Sequence, residues 1–176
     1  MRIVLAADHA AVSEKAALAE ALSAAGHEVS DLGPFDDTSV DYPDYAAPAA
    51  RAVASGEADR AVLLCGTGIG QSICANKVAG ARAAVLWNEF STEMSRRHND
   101  ANVACFGVRT QELDQIKSLL SLWLETPFDG GRHERRVGKI NALDASATGR
   151  PAATDEHTKD LSGATRRSSR ARCLTC

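Results

Sequence analysis

Short aliphatic runs recur along the chain, each followed by a segment with helical spacing. Arg2 to Ala6, Glu28 to Leu32, Arg60 to Leu64, Arg82 to Leu86 and Asn102 to Phe106 read as strands. Between them, helices are predicted from about Val12 to Ala25, from Pro43 to near Gly56, over Ile69 to Val78, over Glu89 to Arg97 and over Gln111 to Glu125. In the first of these, Leu18 and Leu22 share one face and Gly26 supplies the stop. Regular alternation of this kind implies βαβ crossovers. The expected fold is therefore α/β: a Rossmann-like, doubly wound, five-stranded parallel sheet in a single domain. In that architecture ligands sit beyond the carboxyl ends of the strands. The segments to inspect are Asp8-His9, Asp41-Tyr42-Pro43, Cys65 onward, Trp87-Asn88 and Gly107-Val108-Arg109.

Composition narrows the function classes. The 176 residues are 44% hydrophobic and 24% charged, ordinary usage for a folded chain, with only 5% aromatics, so small aliphatic side chains must build the core. No apolar run is long enough for a membrane-spanning helix, and the N-terminal residues carry no secretory pattern; a cytoplasmic address is expected. Six Lys/Arg against three Asp/Glu in 145–176, within a chain total of −3, leave −6 on residues 1–144. An acidic body argues against nucleic acid as a partner, since phosphate backbones demand clustered positive charge. Residues 1–144 are expected to form the domain, and 145–176, with little apolar content, a flexible tail. Five cysteines are too few and too scattered for a disulfide framework and fit a reducing compartment. Cys173 and Cys176 make a CxxC without a second ligand pair.

The strongest local signal is Cys65-Gly66-Thr67-Gly68-Ile69-Gly70, at a strand end and opening a helix. Alternate glycines permit a tight turn and expose N–H groups to an anion or a developing oxyanion. A ligand-free strand-to-helix turn fits the same pattern. A dinucleotide fingerprint would need its third glycine where Gln71 stands, and a P-loop is excluded for want of Gly-Lys-Ser/Thr. Cys65 is either a buried small hydrophobe or a thiolate favoured by the helix N-terminus; Cys74 and Cys105, inside a helix and a strand, read as structural. Asp8-His9 and His98 are expected at the carboxyl edge of the sheet, where imidazole could shuttle protons near neutral pH. His27 and His157 carry no such expectation. In Gly130-Gly131-Arg132-His133-Glu134-Arg135-Arg136, Arg132 and Arg136 fall four apart, either as a solvated cluster or as a phosphate clamp.

Taken together, Asp8-His9, Asp41-Tyr42-Pro43, Cys65 to Gly70, Ala75-Asn76-Lys77, Ser95 to Asp100 and Gly130 to His133 with Arg136 resemble the type B ribose-5-phosphate isomerase family. That family includes allose- and galactose-6-phosphate isomerases, and the resemblance runs from about Met1 to Leu143. It implies an aldose–ketose isomerase that uses neither metal nor organic cofactor. It implies ring opening, then proton transfer between C2 and C1 of a sugar phosphate through a cis-enediolate. On this chain, Cys65 would be the base. In one branch of the family a glutamate holds that role, at the position of Gln71; an amide is no base near neutral pH, so the cysteine branch is implied. Thr67 would position the thiolate, and N–H groups from Gly66 through Gly68 to Gly70 would hold the enediolate oxygen. His98, with Asp8, would open the ring. His9, Arg109, Arg132 and Arg136 would bind phosphate, while Tyr42 and Asn99 would line the sugar. A homodimer or homotetramer with sites at the subunit interface is implied. Departures are Ala6-Ala7 before Asp8 and the Trp87-Asn88-Glu89 loop. A hexose-6-phosphate isomerase of the same chemistry and a non-catalytic sugar-phosphate sensor remain as alternatives.

Overall fold

The computed structural model describes residues 1–147. The five strands are β1 (Arg2–Ala7), β2 (Glu28–Asp31), β3 (Arg60–Cys65), β4 (Ala83–Val85) and β5 (Val103–Gly107). The helices are α1 (Val12–Ala24), α2 (Pro43–Ala54), α3 (Ile69–Ala75), α4 (Glu89–Arg97), α5 (Leu113–Glu125) and α6 (Arg132–Ala147), with a 3-10 turn over His9–Ala11. All neighbouring strands are parallel, in the order β2-β1-β3-β5-β4. The doubly wound parallel sheet expected from the pattern is the one found. The expected 1–144 body ends within α6. The tail beyond 147, with His157, Cys173 and Cys176, lies outside the described residues.

Strand alternation sorts the core into two layers. Ile3, Leu5, Ala7, Val62, Leu64, Ala104 and Phe106 point to one face, where α1 and α5 bring Leu18, Leu22, Ile116, Leu119, Leu120 and Trp123. Val4, Ala6, Ala61, Leu63, Val103 and Cys105 point to the other, packed by the alanines of α2 and by Ala75 of α3. Alanine there is a geometric requirement: small side chains bring α2 close to the sheet and to α3. Pro43 opens α2 at a position where its missing N–H costs nothing.

Two elements are shorter than their pattern. α3 ends at Ala75 because the Asn76 side chain turns to the edge strand, donating to Ala83 O at 2.9 Å and accepting from Ala83 N at 2.8 Å. β4 shrinks to Ala83–Val85 because it pairs on one side only. The Asn76 amide thereby blunts part of an otherwise open edge.

Lys15 places a buried charge in this framework. Lys15 of α1 is paired with Asp31 at the end of β2, with side-chain exposures of 2% and 25%. The other Asp31 oxygen accepts from Gly33 N at 2.8 Å, tying the turn after β2 to α1. Lys15→Met keeps the aliphatic stem but leaves the carboxylate unpaired, and should cost about 3 kcal/mol. Urea unfolding checks this, and adding Asp31→Asn should recover part of the loss.

Candidate active site

The carboxyl ends of β1, β3 and β5 meet around Cys65. Its sulfur accepts the Gly68 N–H at 3.1 Å. Gly68 stands at φ +75°, and a Cβ there would lie 3.1 Å from the Phe106 carbonyl carbon, so glycine alone permits this approach. Gly107, ending β5, presses on the same loop: its Cβ would fall 2.6 Å from the Thr67 main chain. The loop is further held by Val108 N to Cys65 O (2.9 Å) and Arg109 N to Gly66 O (3.0 Å). Cys65 is 5% exposed, while Thr67 and Ile69 beside it face solvent. The Thr67 hydroxyl accepts from Ile69 N at 3.4 Å, so the hydrogen bond to the sulfur comes from the Gly68 main chain and Thr67 braces the turn.

Other predicted residues converge here. Asp8 N donates to Leu64 O at 3.0 Å, placing the end of β1 against the end of β3. The Asp8 carboxylate accepts Ala10 N at 2.9 Å and so caps the 3-10 turn that carries His9. His9 Nδ1 accepts from Val40 N at 3.2 Å, so a neutral ring carries its proton on Nε2 and presents that nitrogen as a donor. Tyr42 lies flat on the loop: a Cβ at Gly70 would be 2.7 Å from its ring. The Arg109 side chain passes over Gly66, whose Cβ would meet Arg109 Cδ at 3.3 Å. Gln71 is fully buried and donates to Leu64 O at 2.9 Å. Burial pushes the Cys105 and Cys74 thiols up, in keeping with structural roles.

His98 is a correction. It follows α4, which runs back against the strand direction, and it precedes β5; it therefore sits at the amino edge of the sheet, not beside Asp8. The register pairs Val103 with Ala61, and the four residue steps of β3 from Ala61 to Cys65 separate that level from the sulfur's residue by about 13 Å at ~3.3 Å each. Asn99, Arg132 and Arg136 share this edge. Asn99 lines a groove of about 410 Å³ with Arg82, Ser95, Ile140 and Asp144. The His98 ring stacks on His133, centroids 4.1 Å apart. His133 is the residue that sequence reasoning passed over, although it lay within the arginine motif. The predicted site residues thus form two clusters, one at each edge of the sheet.

Among the described residues, no group of three His, Cys, Asp or Glu could hold a metal ion, and no helix is long and apolar enough to cross a membrane.

A doubly wound sheet with a main-chain glycine cradle around a buried thiol at its carboxyl edge defines an α/β protein whose candidate ligand site lies beyond the strand ends. The Ribose/Galactose Isomerase family model matches residues 3–140, and the chain belongs to that family. Ribose-5-phosphate isomerase B of Escherichia coli is 43% identical over 143 residues, covering 81% of this chain and 96% of that protein. The structure of Clostridium thermocellum ribose-5-phosphate isomerase B superposes with a TM-score of 0.82 at 46% identity, covering 84% of this chain and 99% of that one. A Mycoplasma genitalium ribose-5-phosphate isomerase B structure with bound ribulose-5-phosphate gives 0.79 at 36% identity, covering 82% and 96%. Membership makes this chain an isomerase of the aldose–ketose class.

Proposed function

We propose that the chain interconverts ribose 5-phosphate and ribulose 5-phosphate, with Cys65 as the base. The observation that carries this reading is the Cys65 sulfur held by the Gly68 N–H inside a glycine cradle at the sheet's carboxyl edge. A thiolate is stabilised by such a donor, and the remaining N–H groups of the 66–70 segment suit an oxyanion.

The arrangement supports the following course. His9, through Nε2, and Arg109 bind the phosphate, fixing the sugar over the cradle. After ring opening, the Cys65 sulfur takes the proton from C2. The electron pair forms the C1–C2 double bond, and negative charge falls on O1, where main-chain donors hold it. The sulfur then returns its proton to C1, the O2 proton passes to O1, and the ketose results. No electrons enter or leave. Tyr42, braced on Gly70, covers the reacting carbons.

Ring opening and part of the phosphate charge need the second cluster, which one chain holds at the wrong edge. A two-fold homodimer resolves this: each copy brings His98, Asn99, Arg132 and Arg136 to the other's Cys65, making two equal sites. Ile69 and Ile73, 49% and 57% exposed on α3 beside the cradle, supply an apolar face for that contact.

The direct test is turnover of ribose 5-phosphate by purified protein with a chelator present, measured beside allose 6-phosphate. A kcat/KM for the pentose above that for the hexose, undiminished by chelation, is the expected result. Preference for the hexose would move the substrate to the six-carbon class. Tight sugar-phosphate binding without turnover would make the chain a sensor.

A further inference from the structure

Three consecutive residues at the end of α4 grip the connection leading into α6. Arg96 Nε donates to Thr126 O at 3.3 Å. Arg97 Nε contacts both Asp129 oxygens at 3.2 Å. His98 stacks on His133 with the ring planes 3° from parallel. Gly130 and Gly131, at φ +64° and +55°, turn the chain so that the first turn of α6 reaches α4. His133 is 6% exposed, so protein closes over it, whereas His98 keeps one side open. His133 Nε2 accepts from Arg132 Nε at 3.2 Å.

The groups around His133 are His98 and Arg97 from α4, Arg132 and Arg136 from α6, and Asp129 from the connection. Desolvation first, then His98, Arg132 and Arg136, hold His133 below the ordinary histidine range, with Asp129 opposing. A flat ring fixed among these groups gives the His98 imidazole a surface to lie against, with centroids 4.1 Å apart.

We propose that His133 is a positioning residue for His98, a fixed flat platform that sets the angle at which the His98 imidazole meets the sugar ring. This rests on the reading that His98 opens the furanose. In that step the O1 hydroxyl loses a proton, the ring oxygen O4 gains one, the C1–O4 bond breaks and the C1 carbonyl forms. An imidazole tilted away from O4 serves the step poorly, while the later work of Cys65 is untouched.

That separation supplies the test. Ribulose 5-phosphate cannot close a furanose, because its O5 is esterified, so exchange of its C1 hydrogen for solvent deuterium reports the carbon chemistry alone. Turnover of ribose 5-phosphate needs ring opening as well. His133→Asn, which keeps an acceptor for Arg132 but has no ring, should lower the ratio of turnover to exchange about tenfold. His133→Phe, which keeps the flat face, should hold the ratio within about threefold of the native protein. An unchanged ratio in His133→Asn, an equal fall in both variants, or a parallel loss of turnover and exchange overturns the proposal. A native protein with neither activity, or exchange that survives Cys65→Ala, defeats the functional reading instead.

Discussion

Cys65→Ala is expected to lower kcat for ribose 5-phosphate by about a thousandfold, within the range that a positioned base contributes. The sulfur is placed by the end of β3 and held by the Gly68 N–H at 3.1 Å, and Gln71, buried on α3, is an amide bonded to Leu64 O. Neither that amide nor the Thr67 hydroxyl can accept a carbon-bound proton near neutral pH. Because Cys65 is small and lies at the rim of the core, the variant should fold and still bind substrate, readable by calorimetry. Cys65→Ser should fall nearly as far, since a hydroxyl ionises far above a thiol. A kcat for Cys65→Ala within tenfold of the native value would remove the sulfur from the mechanism.

A mixture of two inactive variants should recover activity. Cys65→Ala retains His98, and His98→Asn retains Cys65. If each site draws one residue from each copy, a mixed dimer holds one intact site and one doubly defective site. Random exchange makes half the dimers mixed, so about a quarter of native activity should return. The measurement is activity after co-refolding or co-expression, against the two variants assayed separately. No recovery would mean that His98 does not serve a neighbouring copy. The separation of about 13 Å between the level of Val103 and Cys65 within one chain then leaves His98 no part in the reaction.

The strand-by-strand reading succeeded where a local signal was strong. Aliphatic runs at Arg2, Glu28, Arg60 and Asn102 each became a buried or half-buried strand, because a parallel sheet covered on both faces needs apolar residues in succession. The cradle was readable for a related reason. Alternate glycines at Gly66, Gly68 and Gly70 mark a tight strand-to-helix turn whether or not it holds a ligand, and two of them prove to be required by close approach of Phe106 and Tyr42. β4 was overextended because edge position is a property of the sheet, invisible in Arg82 to Leu86 taken alone.

His98 shows the opposite case. Its neighbours in sequence say that it ends a helix and precedes a strand, and in a parallel sheet that alone assigns it to the amino edge; chemistry read without topology placed it with Asp8. The stack on His133 had no sequence signal, since the two residues are brought together by the Gly130-Gly131 turn and by Arg97 with Asp129.

By itself the sequence determined the layered α/β architecture, the thiol in its glycine cradle and the identity of the charged groups, because these depend on periodicity and on short-range backbone chemistry. Tertiary structure decided which of those groups stand together. Strand direction and register set the distance between the sulfur and the imidazoles. That distance divides the candidate side chains between two edges of the sheet, and it is the reason the proposed function calls on a neighbouring copy for the missing half.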